Sequence, residues 1–194
     1  MSSDHYCRAV VTNVESVLEK RGLRLPLKFV TPLSCGYFPE MDVTGGLKVD
    51  GVQWYQELIG TLRLTVEIGR IDILLEVSLL STHLEIPLEV HLEQVLQIFG
   101  YLKIHKKMRL MFNCRYPKIS SNLSKEYYWF GFYRYLKESI LPNMPESRGH
   151  EVSISMFVDS DLEGDKSTRR SQTGELIFIN KSPIHWYSKR QETF

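Results

Sequence analysis

Residues 150–194 read HEVSISMFVDSDLEGDKSTRRSQTGELIFINKSPIHWYSKRQETF, and this stretch decides the fold class. Runs rich in β-branched and aromatic residues at 152–158, 175–180 and 184–188 are separated by polar or turn-forming stretches, the pattern of short strands with intervening turns. Lys181, Ser182 and Pro183 are expected to connect the last two runs as a hairpin. This end therefore reads as the opening meander of a mixed sheet that the chain stops before completing.

Upstream, the period changes from two to about 3.6. Cys7, Val10, Val11, Val14, Val17 and Leu18 place one apolar stripe along a helix, and Gly22 is positioned to stop it. Residues 25–51 contain Pro26, Pro32, Pro39 and the Gly45-Gly46 pair, which favour an extended connector. Three more helical patterns follow, at 52–68 (Trp54, Tyr55, Leu58, Ile59, Leu62), 72–84 and 89–103 (Leu92, Val95, Leu96, Phe99, Leu102), resembling a small bundle. A short strand is expected over 108–113 and an aromatic-rich helix over 124–140. The chain as a whole is thus of α+β class, with no internal repeat and no low-complexity tract.

Composition narrows the function classes. Forty-three per cent hydrophobic and 24% charged residues over 194 positions describe an ordinary globular chain with enough length for a core. Twenty-four Lys and Arg against 23 Asp and Glu leave a net charge of +1, so nucleic-acid binding would have to come from local patches. Cys7, Cys35 and Cys114 fit neither a disulfide framework nor a zinc knuckle, which suits a reducing compartment. No signal segment or membrane span is legible, because Arg70, Asp72 and Glu76 interrupt the longest apolar region. An intracellular protein without a membrane partner is expected.

The strongest chemical candidates are Asp159 and Asp161. A carboxylate at the exit of an apolar strand can hold a hard cation in a fixed position, although Asp also commonly ends strands as a plain turn former. Two-metal phosphoryl chemistry needs several carboxylates converging on cations about 3.5–4 Å apart, so one or two supply only part of a site. Basic residues cluster at Lys103, His105, Lys106, Lys107 and Arg109, again at Lys166, Arg169 and Arg170, and at Lys189 and Arg190. Each cluster can neutralise phosphates or simply be a solvated face. Ser167, Thr168, Ser171 and Thr173 can add phosphate hydrogen bonds. The aromatic run Tyr127-Tyr128-Trp129-Phe130 can stack on bases, though core packing is the commoner fate of such a run. The six histidines show no zinc-site spacing, and no Gly-rich phosphate loop or nucleophile elbow is present.

Three blocks, in order, resemble the copia-type retrotransposon polyprotein, and together they cover most of the chain. Tyr55-Gln56-Glu57-Leu58-Ile59-Gly60-Thr61-Leu62 looks like the family's Y-x-S-L-I-G-S-L helix beyond the polymerase centre, and Arg70-Ile71-Asp72-Ile73 is similar to its R-P-D-I, with Ile71 replacing proline. His91-Leu92-Glu93-Gln94-Val95-Leu96 through Gly100-Tyr101-Leu102-Lys103 resembles the helix that joins polymerase to ribonuclease H. Val158-Asp159-Ser160-Asp161-Leu162-Glu163-Gly164-Asp165, Arg169-Arg170-Ser171-Gln172-Thr173-Gly174, Pro183-Ile184-His185-Trp186 and Ser188-Lys189-Arg190-Gln191 are similar to the opening of that ribonuclease H, with Leu162 and Glu163 replacing Trp and Ala.

The resemblance implies a division into a helical segment from the end of the polymerase (1–24), an extended linker (25–51), a helical thumb or connection region (52–149) and a partial ribonuclease H-like domain (150–194). It implies a parent activity of RNA-directed DNA synthesis coupled to magnesium-dependent cleavage of RNA in an RNA–DNA hybrid. Asp159 maps onto the first metal-binding aspartate, with Asp161 beside it, while Lys166, Arg169, Arg170, Lys189 and Arg190 are the expected hybrid contacts. The sequence stops before the family's catalytic glutamate and lacks its Y-V-D-D turn, so the expectation is a fragment without either complete active site, binding Mg2+ weakly and self-associating through its unfinished sheet. Two rivals are an active nuclease built on Asp159, Asp161 and Asp165, and a domesticated nucleic-acid-binding or scaffold module without catalysis.

Overall fold

The first helix, α1 (Asp4–Lys20), buries Cys7, Val10, Val11, Val14 and Leu18, the stripe that its spacing predicts. It ends in a Schellman arrangement. Gly22 takes φ of 70°, its N–H bonds to the Glu19 carbonyl, and the Leu23 N–H reaches back to Leu18. The computed structural model describes residues 3–26, 30–108, 110–115, 142–144, 149, 152–161 and 165–191.

Three further helices complete the bundle: α2 (Val49–Glu67), α3 (Leu74–Leu80) and α4 (Glu89–Ile104). Trp54, Tyr55, Leu58, Ile59, Leu62 and Val66 of α2 meet Val95, Ile98, Phe99 and Leu102 of α4, together with Ile73, Val77 and Leu80, in one core. The Tyr55 hydroxyl is buried there and donates to the Leu80 carbonyl at 2.7 Å, which satisfies the one polar atom its ring carries inside. The pattern expected as a single helix over 72–84 is broken into α3 flanked by 3-10 turns, Ile71–Ile73 and Ser81–His83. The Ser81 hydroxyl, bonded back to the Val77 carbonyl at 2.6 Å, is the local cause at the second break.

Arg70 and Asp72 hold the entry to α3. The Arg70 guanidinium is fully buried (0% exposed) and grips both carboxylate oxygens of Asp72, at 2.8 and 2.7 Å. Tyr101 of α4 donates its hydroxyl to the same carboxylate at 3.2 Å, and Cys7 of α1 lies 3.9 Å from the guanidinium. The charge is thus paired and hydrogen-bonded, the condition under which burial of Arg is tolerated.

The connector before α2 is irregular, as its prolines predict, yet it is stitched along α4. The Ser34 N–H and hydroxyl donate to Gln94 and Gln97, while the Gln97 amide donates to the Thr31 carbonyl. Buried His91 accepts the Leu88 N–H at Nδ1, so Nε2 carries the proton and donates to the Pro39 carbonyl at 3.0 Å. A single bridge, Gly46 to Leu88, closes the segment. Helix α2 starts at Val49 inside this stretch, a few residues ahead of the expected start.

Three antiparallel strands, β1 (Ile154–Asp161), β2 (Gln172–Ile179) and β3 (Ser182–Arg190), form an open sheet in the order β1-β2-β3. The molecule is therefore of α+β class with an incomplete sheet. The hairpin turn falls one residue earlier than expected, at Asn180-Lys181, with Asn180 at φ 54° and Ser182 and Pro183 already in β3. Asn tolerates that left-handed conformation, whereas Pro183 cannot supply it. The strand expected over 108–113 does not form among its described residues. Asn113 instead meets the hairpin turn through Ser182 and Lys181 without joining the ladder. The expected helix over 124–140 and the aromatic run lie outside the described residues. Among the described residues, no helix is long and apolar enough to cross a membrane.

Candidate metal and nucleic-acid site

Alternation along the strands sorts the sheet into two faces. One carries Phe157 and Asp159 of β1, Gln172, Gly174 and Leu176 of β2, and Trp186, Ser188 and Arg190 of β3, as the pairings Asp159 with Gly174 and Leu176 with Trp186 require. This face meets the helices. The Trp186 indole donates to the Val66 carbonyl at 3.2 Å, the Ser78 hydroxyl to the Ser188 carbonyl at 2.8 Å, and the Gln172 amide to both Ser78 and Ser188. The other face carries Ile154, Met156, Val158, Glu175 and Tyr187.

Asp159 stands exposed near the end of β1, on the rim of a groove of about 690 Å³ between Ile71, Leu74 and Leu75 and the sheet residues Phe157, Leu176 and Trp186. Glycine at 174 leaves the space opposite Asp159 without a side chain. Asp161 extends the ladder opposite Gln172, which shows that the polar end of the motif is strand rather than turn. The next acidic residue in register, Glu175, pairs with Val158 and so belongs to the opposite face.

Asp165, the third acid of the nuclease alternative, is committed elsewhere. Its Oδ1 accepts the N–H groups of Ser167 and Thr168 at 3.0 and 2.8 Å and the Ser167 hydroxyl at 2.9 Å, while Oδ2 accepts Arg190 Nη1 at 2.5 Å. Burial alone would raise its pKa, but these hydrogen bonds and the Arg190 charge outweigh it and hold the carboxyl well below the usual range. Around it, the Asp165 N–H bonds to the Arg170 carbonyl and the Arg169 N–H to the Asp165 carbonyl, with Arg169 at φ 61°. The carboxylate is thus the organiser of the β1–β2 loop and its clamp to β3. Both of its oxygens are taken up in these contacts, where the rival cluster of Asp159, Asp161 and Asp165 would need them for a cation.

Among the described residues the donor set is smaller than a two-metal centre needs. Among the described residues no group of three or more His, Cys, Asp or Glu could hold a metal ion. Magnesium demands near-octahedral oxygen ligation and dehydrates reluctantly, so one exposed carboxylate such as Asp159 is by itself a weak seat.

The expected basic contacts divide in the same way. Arg190 is paired with Asp165. Lys166 is docked on the connector, its Nζ 3.7 Å from the centre of the Phe38 ring and its N–H on Glu40. Arg169 and Lys189 are exposed, and Arg170 is half-buried with its Nε out of water and without a hydrogen-bond partner. Lys103 bridges to Glu15 of α1 at 2.5 Å, and Arg109 lies outside the described residues. Missed by sequence reading was Arg63 of α2, which the fold brings to the same cleft as Arg170. No signal marks it, since an exposed Arg on an amphipathic helix is ordinary.

Comparison with known proteins by sequence finds two plant relatives. The chain is 24% identical, over 154 residues that make up 79% of it, to the retrovirus-related Pol polyprotein from transposon RE1 of Arabidopsis thaliana. It is 38% identical over 60 residues, 31% of the chain, to an uncharacterised mitochondrial protein of the same plant. These matches span 8% and 25% of the two relatives. No family model and no solved structure matches. By fold the chain is of α+β class with an unfinished antiparallel sheet. By sequence it is similar to part of a transposon Pol polyprotein, consistent with a copia-type retrotransposon polyprotein fragment.

Proposed function

We propose that this chain derives from the reverse transcriptase–ribonuclease H portion of a copia-type retrotransposon polyprotein, and that it retains contacts to an RNA–DNA hybrid without cleaving it. The observation that carries the reading is geometric. The motif pieces at 158–161, 172–174 and 183–190, separate in sequence, fold into one β1–β2–β3 unit in which Asp159 faces Gly174. The similarity to the Pol polyprotein across 79% of the chain supports the same assignment.

The parent activity would be RNA-directed DNA synthesis with magnesium-dependent hybrid cleavage, and Asp159 would be its first metal ligand, with Asp161 adjacent. The isolated chain is inactive on this reading, because Asp165 is held by Arg190 and cannot complete a metal site. The basic side chains Arg169, Arg170 and Lys189 are the residual backbone contacts, and Lys166 and Arg190 act by fixing the loop that carries them. Fluorescence anisotropy with a labelled hybrid duplex tests the proposal. Binding should weaken roughly ten- to forty-fold between about 50 and 200 mM salt, as two or three phosphate contacts would require. Absence of binding at low salt would refute it.

A further inference from the structure

A cleft of about 500 Å³ opens between the helical layer and the sheet, between α2 and α3 on one side and β3 on the other. Its lining includes Arg63, Ser81, Arg170, Trp186, Lys189 and Arg190, with Glu67 the one carboxylate among the described residues. The cations are in different states. Arg190 is paired with Asp165, whereas Arg63 is anchored through Nε to the Ser81 hydroxyl at 3.0 Å, which leaves its two terminal nitrogens outside that bond. Arg170 has its Nε buried without a hydrogen-bond partner. That Nε is closed to solvent, so an anion in the cleft can be met only by the terminal nitrogens of Arg170.

We infer that this cleft is a seat for a phosphate-class oxyanion, with Arg63 and Arg170 as its two walls. Guanidinium groups present planar forks of donors that suit phosphate oxygens, and here the Arg63 fork is fixed through Nε by Ser81. Preorganisation of this kind separates a seat from a merely positive surface. The source of the anion is a nucleic-acid backbone if the function proposed above holds, and a free phosphate otherwise.

The test uses the whole chain, with inorganic phosphate as one probe and a short RNA–DNA hybrid as the other. Isothermal titration measures affinity, and the fluorescence of the chain, which includes Trp186 in the cleft, reports occupancy. Phosphate should bind, and Arg63→Gln and Arg170→Gln should each weaken it by roughly tenfold or more, the loss expected for one charge-assisted contact. Arg8→Gln, on α1 outside the cleft, should leave it unchanged. Should Arg170→Gln fail to fold, Arg63→Gln on the exposed face of α2 decides alone. No phosphate binding, or binding indifferent to these substitutions, would overturn the inference even if the hybrid bound. Phosphate binding that depends on both arginines without hybrid binding would uphold the seat and reject the proposed function.

Discussion

At the scale of single residues, acid sensitivity follows from two groups near the β1–β2 loop. Burial, the neighbouring His91 ring and the Arg190 charge push His83 down to about 4, against the opposing pull of Glu40 and Asp165. A lowered histidine means that the unfolded chain binds the proton first, so stability falls as pH drops from about 6.5 towards 4. Asp165 has the opposite chemistry and the same sign. Its depressed pKa contributes stability that is complete above the unfolded value near 4 and is lost as pH falls further. We expect denaturant midpoints to decline in two stages on acidification, with His83→Gln flattening the first and Asp165→Asn the second. A midpoint unchanged between pH 7 and 4 would contradict the burial of His83. Sequence alone offered Asp165 as a metal ligand because its true partner, Arg190, lies far along the chain, and no local pattern announces such a pair.

At the scale of elements, helices α1, α2 and α4 were legible because a 3.6-residue apolar period is a direct image of one buried face. The strands were legible in their centres but not at their ends. Backbone pairing continues through polar residues, as in Ser160 with Thr173 and Asp161 with Gln172, where hydropathy carries no signal. The stretch at 108–113 had strand-like residues and, among the described residues, no partner ladder, and composition cannot supply the partner. Packing against α4 makes a sharper claim. A Cβ at Gly100 would run into the Pro26 carbonyl oxygen, a backbone atom that cannot swing aside. Gly100→Ala should therefore cost about 1–3 kcal/mol as overpacking, read as a lower denaturant midpoint at unchanged slope. A neutral effect would mean that the connector does not lie on α4 as described.

At the scale of the whole molecule, the face of the sheet turned away from the helices leaves Ile154 70%, Met156 54% and Val158 58% exposed, all on an edge strand. Among the described residues the outer side of β1 has no neighbouring strand, and an apolar edge of this kind invites pairing with another chain. We expect concentration-dependent self-association in size-exclusion chromatography with light scattering, relieved by Val158→Lys. A monomer at every concentration would count against it. The α+β class and the order of helices before sheet were legible from the change in hydrophobic period. The clamp of Trp186, Ser78 and Gln172 between the layers was not, since it depends on contacts between distant segments.

The reading of the chain as a hybrid-contacting piece without a working metal site meets its most direct test in the cleavage of a labelled RNA–DNA hybrid. Wild type and Asp159→Asn are compared with magnesium or manganese present. The account predicts intact hybrid with both proteins. Metal-dependent cleavage by the wild type that vanishes with Asp159→Asn would contradict it.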